Sequence, residues 1–245
     1  MNPVRLNPPL WLADERDYPM PRSAVERVYQ SLYERIVSLA LAPETTLSRQ
    51  ALCQEYGVSQ TPVREALQQL EQVGLVQIFP QSRTQVTRID LAQLHENHCL
   101  RQALECEMIR RLSLEASAEC MAELQHWVDL QKACLDQTNG ILSAEVMQSF
   151  ALLDERFHQA LFRHAGQAGL FVLSRSRLGH MARVRCLDLP SQGKMAQVVE
   201  QHQVLVEAIA QGHPDAAMTA MRTHLEGTIS RIPALQARFP DFFSG

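Results

Sequence analysis

Four side chains that can bind a metal ion lie in the second half of this 245-residue chain. Asp154 and His158 are four residues apart, a spacing that places both on one face of a helix. His202 and His224 each fall within the apolar stripe of a later helical segment. One carboxylate and three imidazoles suit Zn²⁺, Ni²⁺ or Mn²⁺. The sequence therefore predicts a divalent metal site where these three helices meet.

Each of these residues also has a simpler interpretation. A single histidine in an apolar stripe is usually a core residue with a hydrogen-bond partner, and an aspartate four residues before a histidine is common by chance. The joint occurrence is harder to explain in this way, because a buried carboxylate without a partner is costly. Residue types and spacing alone leave the metal site and the structural interpretation equally open. The other histidines are interpreted as structural: His95, His98, His126, His164, His180 and His213.

Arg101 is a second unusual residue, because the helical face that carries it is otherwise apolar. An arginine that points inward needs an anion. Glu105, one helical turn away, is the favoured partner. The alternative is that the guanidinium binds a ligand carboxylate through two parallel hydrogen bonds. Arg183 and Arg185 are expected to be solvated.

The elements that must position these side chains are helices. Apolar periodicity predicts helical segments at about 91–113, 117–137, 143–165, 168–187, 194–211 and 215–231. The loops between them are short, so neighbouring helices are expected to pack antiparallel in a bundle.

The N-terminal part has the pattern of a helix-turn-helix. Residues 57–67 read Gly-Val-Ser-Gln-Thr-Pro-Val-Arg-Glu-Ala-Leu. Gly57 suits a tight turn, and Ser59 is expected to cap the following helix through its side chain. The start of that helix would present Gln60, Thr61 and Arg64 to base edges and phosphates.

Further elements complete a winged helix-turn-helix. Helices are predicted from Ala24 to before Pro43, at 49–56 and at 60–73. Two short strands at 75–79 and 84–89 would form a hairpin wing with Arg83 near its tip. Arg49 is expected to contact phosphate.

Charge and composition limit the other functional classes. The net charge is −4, and residues 21–90 contain seven Arg and no Lys against seven acidic residues, which is weak support for DNA binding. The arginines of the helix-turn-helix and wing offset this locally. No apolar run of about 18 residues occurs, and no export signal or Cys-x-x-Cys pair is present. These features predict a cytoplasmic protein without a membrane partner.

The domain boundaries follow from these patterns. Residues 1–20 are predicted to be a flexible arm and 21–90 the winged helix-turn-helix domain. A helical domain is placed at 91–235, with a tail at 236–245.

These features together resemble the GntR family of bacterial regulators, in its FadR-like branch with a C-terminal FCD ligand-binding domain. The N-terminal resemblance rests on the motif at 57–67, on Leu70-Glu71 and on Gly74-Leu75-Val76. The C-terminal resemblance rests on Leu100-Arg101, on Ala103-Leu104-Glu105 and on the four metal-ligand candidates.

The resemblance implies a mainly α protein, with an N-terminal winged helix-turn-helix followed by an all-α antiparallel bundle of six or seven helices. Family members are homodimers that bind pseudo-palindromic double-stranded DNA operators. The resemblance also implies that a metal, Zn²⁺ ahead of Ni²⁺ or Mn²⁺, is held by Asp154, His158, His202 and His224. A small carboxylate effector would coordinate that metal, and Arg101 matches a position that contacts the effector in some members.

Two residues depart from the family pattern. Gln60 replaces the usual arginine, and because glutamine pairs with adenine where arginine pairs with guanine, the operator sequence should differ. Arg83 stands where the family wing usually has glycine, so it either enters a minor groove or forms a solvated tip.

The sequence thus predicts a metabolite-responsive DNA-binding transcriptional regulator. The predicted DNA contacts are Arg49, Ser59, Gln60, Thr61, Arg64 and Arg83. One alternative is an operator binder with a purely structural metal. A metal-dependent enzyme is less favoured, because the nearby Glu155 and Glu200 lie off the ligand face and no Gly-x-Ser-x-Gly motif occurs.

Overall fold

The computed structural model describes residues 23–136, 142–188 and 192–244, so the predicted arm at 1–20 lies outside the described residues. The helices are α1 (Ala24–Val37), α2 (Arg49–Tyr56), α3 (Gln60–Gln72), α4 (Leu91–Glu115), α5 (Ala118–Asp136), α6 (Ala144–His164), α7 (Ala168–Ser176), α8 (Gly179–Leu187), α9 (Gln192–Ala210), α10 (Pro214–Ile229) and α11 (Ile232–Arg238). The strands are β1 (Thr46–Leu47), β2 (Val76–Ile78), β3 (Thr84–Val86), β4 (Ile89–Asp90) and β5 (Phe243–Ser244). The predicted mainly α class is confirmed.

The chain divides into two compact units. The first contains the described residues up to 94 together with 176–187 and 232–244, and the second contains 95–175 and 188–231. Helix α8 and the C-terminal residues therefore belong to the first unit, although α8 lies between bundle helices α7 and α9 in sequence and the C-terminal residues follow α10.

The first unit is built around a winged helix. Helices α1 and α3 bury one shared apolar face, formed by Val28, Leu32, Ile36, Val63, Leu67 and Leu70. Strands β2 and β3 form the predicted wing, and the unpredicted β1 pairs antiparallel with β3. Strand β5 pairs parallel with β4, so the end of the predicted tail contributes to a small second sheet.

The turn before α3 has the predicted backbone but not the predicted cap. Gly57 ends α2 in the left-handed conformation, with φ of 63°. Ser59 is the N-cap residue of α3 but makes no side-chain capping hydrogen bond, so that expectation is wrong. An N-cap hydroxyl commonly accepts from the third helical residue. Here that residue is Pro62, which has no N–H to donate.

The wing tip turns at Gln81, the residue there with a positive φ of 54°. Arg83 is exposed, and its guanidinium carbon lies 4.7 Å from the centre of the Phe79 ring. This cation–π contact gives Arg83 a defined position on the hairpin.

Arg183 is buried, so the expectation that it is solvated is wrong. The predicted 168–187 helix is interrupted between α7 and α8, and α8 turns this side chain into the first unit. Nη1 of Arg183 donates to the Thr87 carbonyl at 2.6 Å, and Nη2 lies 2.7 Å from Nδ1 of His180. Burial lowers the pKa of Arg183 to about 9. Carbonyl and imidazole acceptors thus replace the water that this cation gives up.

The second unit is a helical bundle. Helix α5 packs against α6 and α9, and α9 packs against α10. Their apolar faces share one core, which includes Phe157, Leu205, Met221 and Leu225. No helix in the described ranges is long and apolar enough to cross a membrane.

Gly57 offers a test of the recognition-turn geometry. A Cβ there meets no atom within 4 Å, so Gly57→Ala introduces only left-handed backbone strain. We expect a loss of about 1 kcal/mol in the free energy of unfolding. Gly169→Ala, in helical backbone with equal space around the new Cβ, is the matched control and should be neutral or slightly stabilising. Equal urea midpoints for the two variants would contradict this account of the turn.

Candidate functional site

Three imidazole rings converge inside the second unit. Nε2 of His224 lies 3.2 Å from Nε2 of His158 and 3.3 Å from Nε2 of His202. His158 comes from α6, His202 from α9 and His224 from α10. The three helical faces identified in the sequence therefore bring these nitrogens to one point.

Asp154 completes the cluster from α6, one helical turn before His158. Its Oδ1 lies 3.7 Å from Nε2 of His202 and 3.9 Å from Nε2 of His158. The four candidate ligand atoms all lie within 4.8 Å of one another. The structure thus brings together all four residues that the sequence predicted as metal ligands.

The opposite nitrogen of each ring faces an oxygen. Nδ1 of His202 lies 2.9 Å from Oε1 of Gln131, and Nδ1 of His224 lies 3.1 Å from Oε1 of Gln201. Nδ1 of His158 lies 2.7 Å from Oε2 of Glu105. An amide oxygen can only accept, so the Nδ1 atoms of His202 and His224 carry the protons and their Nε2 atoms present lone pairs to the cluster. Nε2 of His158 faces Nη2 of Arg101, which can only donate, so this ring also presents a lone pair at Nε2.

The cluster is poorly solvated. His158 and His202 are almost completely buried, and the Phe157 ring stacks on His202 with centroids 3.9 Å apart. Burial, together with the neighbouring imidazoles, holds the pKa of His202 far below its usual value. Burial and the His158 ring lower the pKa of His224 to about 3. Both rings are therefore neutral at physiological pH, the form in which histidine binds metals.

This donor set fits a divalent metal. Lone pairs that face one another across about 3 Å repel unless a cation lies between them. Two metal–nitrogen bonds of about 2.0–2.1 Å at a tetrahedral angle separate their nitrogens by about 3.3 Å, which matches the distances between the imidazole nitrogens. Three imidazoles with one carboxylate also suit Zn²⁺ chemically.

Arg101 pairs with Glu105, as the sequence favoured, but it also reaches the cluster. Its Nε donates to Oε1 of Glu105 at 2.5 Å, and Nη2 lies 3.1 Å from Nε2 of His158. Both partners of the ion pair are buried. Burial alone would raise the pKa of Glu105, but the Arg101 guanidinium and the His158 ring outweigh it and hold the pKa below its usual value. The ionised Glu105 therefore joins Arg101 to His158.

All six predicted DNA contacts are exposed in the first unit: Arg49, Ser59, Gln60, Thr61, Arg64 and Arg83. Gln60 and Thr61 form the first turn of α3, and Arg64 follows one turn later. The arrangement leaves the start of α3 accessible, which a recognition helix requires.

Comparison with known proteins matches both parts of the chain. The family described as "Bacterial regulatory proteins, gntR family" matches residues 24–86, and the FCD domain family matches residues 85–227. An HTH-type transcriptional regulator from an unstable DNA locus of Streptomyces ambofaciens is 34% identical over 218 residues, which cover 89% of this chain and 88% of the relative.

The chain belongs to the GntR family. A second relative is also a transcriptional regulator. The HTH-type transcriptional repressor RspR of Escherichia coli K12 is 28% identical over 220 residues, which cover 89% of this chain and 93% of RspR. As a GntR-family protein with an FCD domain, the chain is a DNA-binding transcriptional regulator, and its relatives are regulators rather than enzymes.

Solved structures of GntR regulators share the fold. E. coli McbR/YncC aligns with a TM-score of 0.65 at 19% identity, over 89% of this chain and 99% of that chain. A putative GntR regulator from Rhodococcus sp. RHA1 also gives a TM-score of 0.65, at 21% identity, over 86% of this chain and 97% of that chain.

The buried Arg101–Glu105 pair generates a stability prediction. Arg101→Met leaves the Glu105 carboxylate buried without its cation, and we expect a loss of about 3–5 kcal/mol in the free energy of unfolding. The double variant Arg101→Met/Glu105→Leu should recover part of that loss, because it removes both charges but also takes away the carboxylate beside Nδ1 of His158.

The matched control is Arg110→Met on the same helix, because Arg110 forms an exposed ion pair with Glu107 and should contribute little. Urea unfolding of the metal-free proteins measures all three variants. A loss in Arg101→Met no larger than in Arg110→Met would contradict the role assigned to this pair.

Proposed function

We propose that this GntR-family protein is a metabolite-responsive transcriptional regulator with a divalent metal in its C-terminal bundle. Asp154, His158, His202 and His224 would hold the metal, with Zn²⁺ favoured over Ni²⁺ or Mn²⁺. The convergence of three Nε2 lone pairs carries this proposal. Among the described residues, Arg101 is the cation beside them, with Nη2 3.1 Å from Nε2 of His158.

The effector is proposed to be a small carboxylic acid. A bound metal would offer a Lewis-acidic coordination position for a carboxylate oxygen. Arg101 supports the same ligand class, because a guanidinium binds carboxylates through paired hydrogen bonds. Its Nη2 lies 3.1 Å from Nε2 of His158, and a metal that took over that lone pair would leave Nη2 available to an anion. This residue would orient the anion while Glu105 holds the other side of the guanidinium.

DNA recognition is assigned to the start of α3 and the wing. Gln60, Thr61 and Arg64 would contact base edges, Arg49 and Ser59 the backbone, and Arg83 the groove beside the wing. A homodimer would place two such surfaces on a pseudo-palindromic operator, because the symmetry of the protein is matched by that of the site. The homodimer would have one arrangement that fits the operator and one that does not. The effector would change operator affinity by the difference in its affinity for these two arrangements.

Metal binding can be measured as stabilisation. At a free Zn²⁺ concentration 100-fold above its dissociation constant, binding adds about 2.7 kcal/mol, which corresponds to roughly 5–10 °C in melting temperature for a chain of this size. His202→Ala/His224→Ala should abolish this shift, whereas His126→Ala, an exposed histidine outside the cluster, should retain it.

The same double variant should lose any response of operator affinity to small carboxylates. Normal effector response in His202→Ala/His224→Ala would refute the sensing proposal. A metal-dependent melting shift in the unmodified protein, with no carboxylate in a broad panel altering operator affinity, would indicate a purely structural metal.

Operator recognition is tested with a site selected from random duplex DNA by the intact protein. Gln60→Ala and Arg64→Ala should each weaken binding about 5- to 150-fold, since one bidentate base contact is worth about 1–3 kcal/mol. Lys132→Ala, an exposed change on α5, is the control. Fluorescence anisotropy at fixed salt gives the affinities. Unaltered operator binding by both α3 variants would show that the start of α3 does not contact the bases.

A further inference from the structure

We propose that Gln131 is a positioning residue of the histidine cluster, which holds His202 in its Nδ1-protonated tautomer and so turns the Nε2 lone pair toward the other ligands. Gln201 is assigned the same task for His224. The consequence for metal affinity rests on the proposed function, but the tautomer itself does not require a metal.

The contact is specific and tertiary. Gln131 lies on α5, 71 residues before His202 on α9, and its Oε1 is 2.9 Å from Nδ1. Its side chain has no exposed surface, so water does not compete for that oxygen. The Phe157 ring lies nearly parallel to the imidazole, at 14°. Phe157 therefore fixes the plane of the His202 ring, and Gln131 determines which nitrogen faces outward within that plane.

Gln131 is a costly residue for stability alone. Its Nε2 is buried and makes no hydrogen bond to any residue that the structure describes, although an unpaired buried donor costs about 1–3 kcal/mol. The buried face of α5 is otherwise apolar, with Leu124 and Val128 in the same core. A leucine would suit that environment better. The presence of an amide is explained by the hydrogen bond that its oxygen accepts from Nδ1 of His202.

The three outer acceptors also differ in charge. His158 faces the carboxylate of Glu105, whereas His202 and His224 face the neutral amides of Gln131 and Gln201. A carboxylate behind an imidazole raises its basicity as a ligand more than an amide does. Gln131→Glu should therefore preserve the His202 tautomer, whereas Gln131→Leu should release it.

The tautomers are measured directly in the metal-free full-length protein. Two-bond ¹H–¹⁵N correlation NMR on ¹⁵N-histidine-labelled protein distinguishes Nδ1–H from Nε2–H rings, with signals assigned by single-histidine variants. Zn²⁺ affinity is measured in parallel by competition with a chromogenic chelator. The variants are Gln131→Leu, Gln131→Glu and the control Gln125→Leu, whose side chain lies on the same helix but pairs with Asp129 and Gln203.

We expect His202 to be Nδ1-protonated in the unmodified protein and in Gln131→Glu, and to lose that preference in Gln131→Leu. Zn²⁺ affinity should fall about 10- to 100-fold in Gln131→Leu and remain close to the unmodified value in Gln125→Leu. Gln201→Leu, at a half-buried position, supplies a second test through the His224 signals should Gln131→Leu not fold.

The outcomes separate the two proposals. An Nε2-protonated His202 in the unmodified protein, or equal Zn²⁺ affinity with and without the Gln131 amide, would overturn the positioning role while leaving the metal site intact. The expected tautomer change without Zn²⁺ binding by any form would support the positioning role and refute the proposed metal function.

Discussion

In the buried interior of the second unit, Nε2 of His224 lies 3.2 Å from Nε2 of His158 and 3.3 Å from Nε2 of His202. The polar contacts between the helices of this unit supply partners for these three rings. Each ring needs an acceptor on its outer nitrogen and a cation on its inner one, since a buried polar atom without a partner is costly. The outer acceptors come from α4, α5 and α9. The helices of the bundle are thus joined by one polar network inside an apolar core.

The Arg101–Glu105 pair extends this network toward the proposed ligand. Glu105 accepts from Arg101 with one oxygen and faces His158 with the other, so the arginine acts on a candidate metal ligand through a buried carboxylate. A carboxylate effector that attracts Arg101 would therefore also alter the surroundings of His158. This connection gives a physical reason for ligand and metal affinity to be coupled at this site.

Much of the fold and of the candidate site could be predicted from the sequence, because these features depend on local residue patterns. The candidate ligands Asp154, His158, His202 and His224 are predictable because helical periodicity shows which side chains face inward. Gln131 and Gln201 were missed, since an amide carries no distinguishing signal in sequence and its partner is set by tertiary packing. The burial of Arg183 was missed for a related reason, because a break between α7 and α8 changes the face that α8 buries. The absent Ser59 cap has a local cause in part, because Pro62 removes one of the two backbone donors, those of Thr61 and of residue 62, that an N-cap side chain can use.

Anomalous X-ray diffraction at the zinc edge, from crystals of the protein grown with Zn²⁺, tests the central claim most directly. A single strong peak about 2.0–2.1 Å from the Nε2 atoms of His158, His202 and His224, with an Asp154 oxygen completing the set, is the predicted result. Density that shows these rings turned apart, or a zinc peak elsewhere with none among them, would contradict the account.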